Sequence, residues 1–258
     1  SETIKNITEG NHPVSELIIN SHKPMIILGP SVLENQSGKF IFESLKNFLF
    51  NKNKISENWN PFNIISLDAS RIGSLDLGII SSNDGNNNLL NDLNNHKFEV
   101  VFLFGQDNLV FNKKDEFVIY IGSHGDRGAE IADIILPGCA YTEQDGYFTN
   151  LEGKLQKAFK ATYPPGDAKE DWEIINELSE KLSDKKLYQN KNELEKAMIN
   201  FLNIFYEEDK EKKIELIDNL NFIKENIKTN KVDYYYSNVI ARASKTMSKC
   251  REIKNIKQ

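Results

Sequence analysis

The stretch from Phe117 to Gln156, FVIYIGSHGDRGAEIADIILPGCAYTEQDGYFTNLEGKLQ, constrains this chain most. A short apolar run, Phe117 to Ile121, passes into Gly122, Gly125 and Gly128 and then into a second run, Ile131 to Leu136. Apolar runs of this length without polar alternation suit strands buried on both faces, and the glycines between them suit a tight connection. Glycine lets backbone turn or approach closely where a side chain would block it. Pro137 and Gly138 end the second run, because proline cannot donate to a sheet ladder. Beyond them a polar loop is expected, with Asp145 and Gly146 as a reverse turn between Tyr141 and Tyr147.

The same logic extends along the chain. Pro24 to Leu28, Phe62 to Leu67 and Val100 to Phe104 read as further strands, and Ile41, Leu45, Phe48 and Leu49 recur at helical spacing. Asp68 to Leu77 reads as a turn region carrying Arg71 and Asp76, and the Asn- and Asp-rich stretch 81–95 as a surface insertion. Pro164, Pro165 and Gly166 precede a helix opening at Asp171, with Trp172, Ile175, Leu178 and Leu182 on one face. Leu194, Met198, Phe201, Leu202 and Phe205 predict a second amphipathic helix, and Ile214, Ile217, Leu220, Ile223 and Ile227 a third. Such helices serve either to pack on their own domain or to dock a partner. The segment Tyr234 to Tyr236 fits a subunit contact or a core anchor equally.

The fold class predicted is therefore α/β, a doubly wound and mainly parallel sheet with a helical C-terminal tail. Residues 1–22 read as a polar arm, 23–183 as the α/β domain and 184–258 as the helical extension.

Composition excludes several function classes. A net charge of −6 over 258 residues argues against a nucleic-acid partner, which selects a clustered basic surface. The apolar runs are strand-sized, whereas a membrane helix needs roughly 20 apolar residues, so no direct membrane insertion is expected. Two cysteines, Cys139 and Cys250, exclude a disulfide framework and fall short of the four thiolates an iron–sulfur cluster takes. Both read as reduced thiols.

No motif nominates chemistry. Eight residues separate Gly29 from Gly38, and Phe40 follows Lys39, so the spacing is not a phosphate-binding loop. Gly122, Gly125 and Gly128 lack the dinucleotide spacing Gly-x-Gly-x2-Gly. His124, Asp126, Arg127 and Glu130 lie close together, but one histidine and two carboxylates do not form a metal spacing. They read as a polar loop held by hydrogen bonds. No catalytic, cofactor-binding or metal-ligating residue is assigned.

These residues also carry a resemblance. AEIADIILPGCAYTEQDGYFTNLEGKLQ is similar to a segment of the molybdopterin-dependent oxidoreductases and of their cofactor-free relatives, the 75 kDa iron–sulfur subunits of NADH:ubiquinone oxidoreductase, respiratory complex I. KPMIILGPSVL, LDLG at Leu75 to Gly78, GSHGDRGAEIAD, YPPGDAKEDWEIINELSE and IARASKTMSKC at Ile240 to Cys250 resemble the second group in the same order. The resemblance covers the last third or so of that subunit.

It implies a split or fragmentary subunit on the matrix side of the mitochondrial inner membrane, scaffolding a cluster-bearing N-terminal half and meeting other peripheral-arm subunits. The iron–sulfur clusters would lie in that half and FMN in another subunit, leaving this chain without a redox centre or cofactor. In the molybdenum relatives, an arginine follows the Glu-Gly pair near the pterin. Lys154 stands there here, a point charge in place of a planar fork. Asn150 and Glu152 are expected to satisfy buried backbone groups, and Cys139 replaces a common alanine. The rival implication is a pterin-binding domain.

Overall fold

The computed structural model describes all residues except 57, 80–88, 107–108, 110, 212–213, 230–232 and 257–258, and no side chains at 205–211 or 255–256. It divides into two compact units. The first comprises Ser1–Gly73, Thr149–Leu155 and Phe205–Lys231, and the second Ser74–Phe148, Gln156–Ile204 and Val232–Gln258.

In the first unit, α1 (Glu2–Thr8) and α2 (Pro13–Asn20) precede β1 (Ile26–Leu28), α3 (Pro30–Leu33), α4 (Gly38–Asn51) and β2 (Phe62–Ile64). The two strands pair in parallel, Ile26 beside Phe62 and Leu28 beside Ile64. The periodic face of α4 supplies Ile41 and Leu45, which bury with Leu28 and draw in Ile4, Phe62 and Ile227. The polar arm expected over residues 1–22 is instead a helix pair. His12 caps α2, its ring nitrogen accepting from the Val14 amide at 3.2 Å, and Pro13 supplies a φ already set for a helix start. Ser15 is buried and donates its hydroxyl to the Ile7 carbonyl at 2.7 Å.

The third amphipathic helix expected at Ile214 to Ile227 does not form. Residues 214–229 carry neither helix nor strand. Their backbone bonds elsewhere: Asn47 donates to the Ile217 carbonyl at 2.8 Å, Ser1 Oγ to Ile223 at 2.8 Å, and the Ser1 amine to Glu225 at 3.0 Å. Phe222 sets its ring edge-on to Phe40 at 5.0 Å, and Asn219 takes a φ of 57° that interrupts any helical run. The apolar spacing is real, but the segment spends it as a strap along α1 and α4.

α5 (Arg71–Asp76) replaces the expected turn region, and α6 (Leu89–Asn94) occupies the end of the expected surface insertion, of which 81–88 lie outside the described residues. The second unit is then built on β3 (Val100–Phe104), β4 (Phe117–Gly122) and β5 (Ile134–Pro137), parallel and in consecutive order, with α7 (Arg127–Glu130) between the last two. β6 (Gly146–Thr149) and β7 (Leu155–Ala158) form a two-stranded ribbon, then α8 (Asp171–Ser183), α9 (Lys191–Glu211), a 3₁₀ turn at Tyr234–Tyr236, α10 (Val239–Ala243) and α11 (Lys245–Ile256). The expected turn at Asp145 and Gly146 is displaced to Asn150–Lys154, because Gly153 takes a φ of 76° and Asn150 binds the turn amides there. The α/β class with parallel sheets is as the apolar runs predict.

Leu103, Val118 and Tyr120 form the core of this unit with Leu93 of α6 and Phe111 of the β3–β4 connection. Glu116, 3% exposed, locks that connection. Its carboxylate accepts from the Lys114 amide at 2.7 Å and lies 2.6 Å from His96 Nδ1, while His96, at a φ of 56°, closes the end of α6. The Lys114 amide first, then its own amide and His96, hold the Glu116 carboxyl down at about 2. A carboxyl depressed on folding stabilises above its ordinary range and loses that contribution as pH falls toward the folded value. Glu116→Gln is therefore expected to lower the thermal midpoint at pH 7, and the gap from wild type to close as pH falls from about 4.5 to about 2. Thermal melts across that range by circular dichroism check it.

Candidate functional site

In open α/β sheets ligands bind beyond the C-terminal ends of the strands. Here that edge is set by Tyr120, which is 2% exposed. Its side chain leans forward over the C-terminal end of β4 and donates its hydroxyl to the His124 carbonyl at 2.8 Å. Two of the three glycines make room for it. A methyl group on Gly122 would stand 2.4 Å from the Tyr120 hydroxyl, and one on Gly128 would meet the Gln106 carbonyl at 2.5 Å and the Tyr120 ring at 3.1 Å. Gly125 has open space around it. Asp126 caps α7, accepting from the Arg127 amide at 2.9 Å.

A cleft of about 170 Å3 opens beside this loop, below the roughly 300–1,000 Å3 of ligand pockets. Gly122, Ser123, Cys139 and Gln144 line it, Asp171 enters from the first turn of α8, and Val239 and Ile240 of α10 form one wall. α10 is held in place by charge. Arg242 Nε donates to Asp126 Oδ2 at 2.7 Å. Burial works to raise the Asp126 carboxyl, but hydrogen bonds from Arg242 and the Arg127 amide outweigh it and leave the group below its ordinary value. α11 is tied back in the same way, Arg251 Nε reaching Asp233 at 2.5 Å and its guanidinium lying 4.4 Å from the Tyr236 ring centre. Tyr236 thus anchors, while Tyr234 is exposed.

Cys139 and Asp171 are the titratable groups of the cleft besides two tyrosines, among the described residues. Cys139, 8% exposed, has its thiol pushed up to about 11 by burial, then by the charges of Glu170, Glu143, Asp171 and Glu173. Burial, then Glu170, raises Asp171. A thiol held protonated is neither a nucleophile nor a metal ligand. A pterin bearing phosphate is an anion, and this small cleft offers it one carboxylate, Asp171, and no cationic side chain among the described residues, so the lining does not fit that group. Among the described residues no three His, Cys, Asp or Glu are grouped to hold a metal ion, and no helix is long and apolar enough to cross a membrane.

The residues singled out from the sequence scatter. His124 contributes its carbonyl to Tyr120 and a ring nitrogen 3.0 Å from Ser123 Oγ; Asp126 serves α7 and Arg242; the four charged loop residues share no focus. Asn150 binds the amides of Glu152 and Lys154 at 3.0 and 2.9 Å, but these are exposed turn amides, and Glu152 is itself exposed, correcting its expected buried role. Tyr147 donates to Glu195 at 3.1 Å, which also accepts from Lys157 at 2.8 Å. Arg242 was missed: its partner lies 116 residues away, and no spacing rule reaches it.

A model of the molybdopterin oxidoreductases matches residues 1–181, and a model of the C-terminal region of the G-type subunits of NADH-ubiquinone oxidoreductase matches 211–250. The chain is 38% identical to the NADH-ubiquinone oxidoreductase 75 kDa subunit of Reclinomonas americana over 259 residues, 97% of this chain and 37% of that protein. It is 37% identical to the mitochondrial 78 kDa subunit of Candida albicans, over 92% of this chain and 34% of that protein. With the G-type NADH-quinone oxidoreductase subunit of Rickettsia felis the identity is 35%, over 97% and 36%. The chain thus spans little more than a third of the length of these relatives.

Gly128→Ala is expected to destabilise the protein by about 1–3 kcal/mol or more, since the added methyl meets backbone as well as the Tyr120 ring. Gly125→Ala, facing open space, should cost well under about 1 kcal/mol. Urea unfolding of the two variants, with equal slopes, checks the contrast.

Proposed function

The chain belongs to the molybdopterin oxidoreductase family, and from that premise we propose that it is a scaffolding portion of NADH:ubiquinone oxidoreductase, equivalent to the C-terminal part of the 75 kDa subunit. It carries no electrons itself. Its partners are a cluster-bearing chain supplying the remainder of the subunit and other peripheral-arm subunits, on the matrix side of the mitochondrial inner membrane. Iron–sulfur clusters reside in the first partner and FMN in another subunit. NADH oxidation and ubiquinone reduction belong to the assembly.

One observation carries this reading. The edge of the sheet where the family's fold would offer a ligand site is walled by the chain's own α10, pinned through Arg242 to the capping carboxylate of α7. The lining of the cleft works in the same direction, because among the described residues it offers an anionic cofactor no cationic side chain. Matches to subunits of this enzyme in mitochondrial and bacterial relatives, across almost the whole chain, supply the partner class. Two cysteines supply too few thiolates for a cluster of the ordinary kind.

Such a scaffold acts through geometry. Electron transfer between clusters depends on fixed separations, and a rigid parallel sheet packed behind them holds those separations constant. This chain's contribution is then stability of the assembly.

Native purification through a tag on this chain, with mass spectrometry and metal analysis, tests the assignment. The expected result is a large NADH-oxidising assembly that contains a separate Cys-rich chain and iron. Recovery of the chain with molybdenum or pterin, or with no NADH-oxidising partner, would overturn it.

A further inference from the structure

The C-terminal segment that walls the cleft is held together by its own side chains. Asp233 caps the Tyr234–Tyr236 turn, its carboxylate accepting from the Tyr235 amide at 3.1 Å and from Arg251 Nε of α11 at 2.5 Å. The Tyr236 hydroxyl lies 2.9 Å from Ser248 Oγ, also on α11. Cations cover the ring faces: the Arg251 guanidinium stands 4.4 Å from the Tyr236 centre, and Lys254 Nζ stands 5.7 Å and 5.6 Å from those of Tyr234 and Tyr235. Asn238 caps α10, accepting from the Ala241 amide at 2.9 Å.

Helices of five and twelve residues, such as α10 and α11, are marginal alone. These ties therefore matter. They make the tyrosine turn, α10 and α11 one module, from Asp233 to Ile256.

The module is fastened to the sheet in a different way. Val239 and Ile240 form one wall of the cleft that Ser123, Cys139 and Asp171 also line, but both are only half-buried, so apolar burial holds them weakly. Arg242 Nε donates to Asp126 Oδ2 at 2.7 Å, with the two side chains 20% and 25% exposed. A charge-assisted hydrogen bond is stronger than a neutral one, and partial burial protects this one from screening by salt. The sheet side of the pair is set independently of α10. Asp126 also accepts from the Arg127 amide at 2.9 Å, in the loop that Tyr120 shapes through the His124 carbonyl.

We propose that this module is a lid on the strand-edge crevice and that the Arg242–Asp126 pair is its latch. Releasing the pair lets the module leave the edge as one piece, because its internal ties do not involve the sheet, and returns the crevice with Cys139 to solvent. The crevice is then a cryptic site, closed in the ground state and open in a minor state whose population the ion pair sets. The inference goes beyond the functional reading above and does not depend on it, since it rests on contacts within this chain.

Two substitutions in the native assembly test the latch. Arg242→Met keeps the apolar stem and removes the charge; Arg242→Lys keeps the charge and loses the planar fork. Alkylation at pH 8, read by mass spectrometry, is expected to label Cys139 at least about tenfold faster in Arg242→Met than in wild type, a factor that corresponds to ~1.4 kcal/mol in the opening equilibrium. Arg242→Lys should fall between them. Hydrogen exchange of the α11 amides should keep its wild-type rate in both variants, because the module stays folded as it moves. Urea below the unfolding transition separates lid opening from global unfolding: opening exposes little surface, so labelling of Cys139 should barely depend on urea. An unchanged Cys139 rate in Arg242→Met would overturn the latch. Faster exchange along α11, or a labelling rate that climbs with the urea slope of global unfolding, would overturn the lid. Should Arg242→Met fail to fold, the urea dependence of Cys139 labelling in wild type decides, a shallow slope supporting the lid and the global slope refuting it.

Discussion

The burial of Tyr120 is the constraint on which the second unit depends. An aromatic ring laid forward over the end of its own strand needs two positions without side chains, and Gly122 and Gly128 supply them. With the ring in place, its hydroxyl fixes the His124 carbonyl, and the loop from Ser123 to Arg127 is shaped around it. That loop delivers Asp126 both to the first turn of α7 and to Arg242. A packing event in the core therefore decides where the C-terminal segment can attach, and hence what becomes of the strand edge.

The strand edge is the functional contrast between this chain and what its fold permits. A parallel α/β sheet offers a crevice beyond its strand ends. In this molecule the crevice has a protonated thiol, a carboxylate raised by burial, and two apolar side chains of α10 as one wall. None of these recommends an anionic ligand. Exposed apolar side chains, with Val100, Phe102 and Phe117 of the sheet among them, are a second feature, and they suit contact with protein. Both features agree with a family fold put to structural use.

The sequence made the parallel strands legible because their apolar runs are uninterrupted and end on glycine or proline: Val100 to Phe104 before Gly105, Phe117 to Ile121 before Gly122, Ile134 to Leu136 before Pro137 and Gly138. Helices with a single apolar stripe, α4 and α8, were equally plain. The ribbon β6–β7 was hidden because GYFT and LQKA are short and half polar, and an Asp-Gly pair drew the turn to the wrong place. Residues 214–229 have the apolar period of a helix, yet they lie as a strap because Ser1, Asn35 and Asn47 bind their backbone from outside. Local pattern reports which residues want burial; it does not report which partner satisfies the backbone. Contacts such as Arg242 with Asp126, or Glu116 with His96, arise from tertiary approach alone, and the charged cluster at His124 to Glu130 looked like chemistry only because its partners were invisible.

The most direct test of the central claim, that the strand edge is closed, is the reactivity of Cys139. Its thiol is pushed up from an ordinary 9.0 to about 11 and is 8% exposed. Alkylation of the native assembly at pH 8, followed by mass spectrometry, should therefore label Cys139 at least about a hundredfold more slowly than a free peptide cysteine, with added phosphate making no difference. Labelling at the rate of the free peptide, or protection by a phosphate-bearing pterin, would mean an open ligand site and contradict the account.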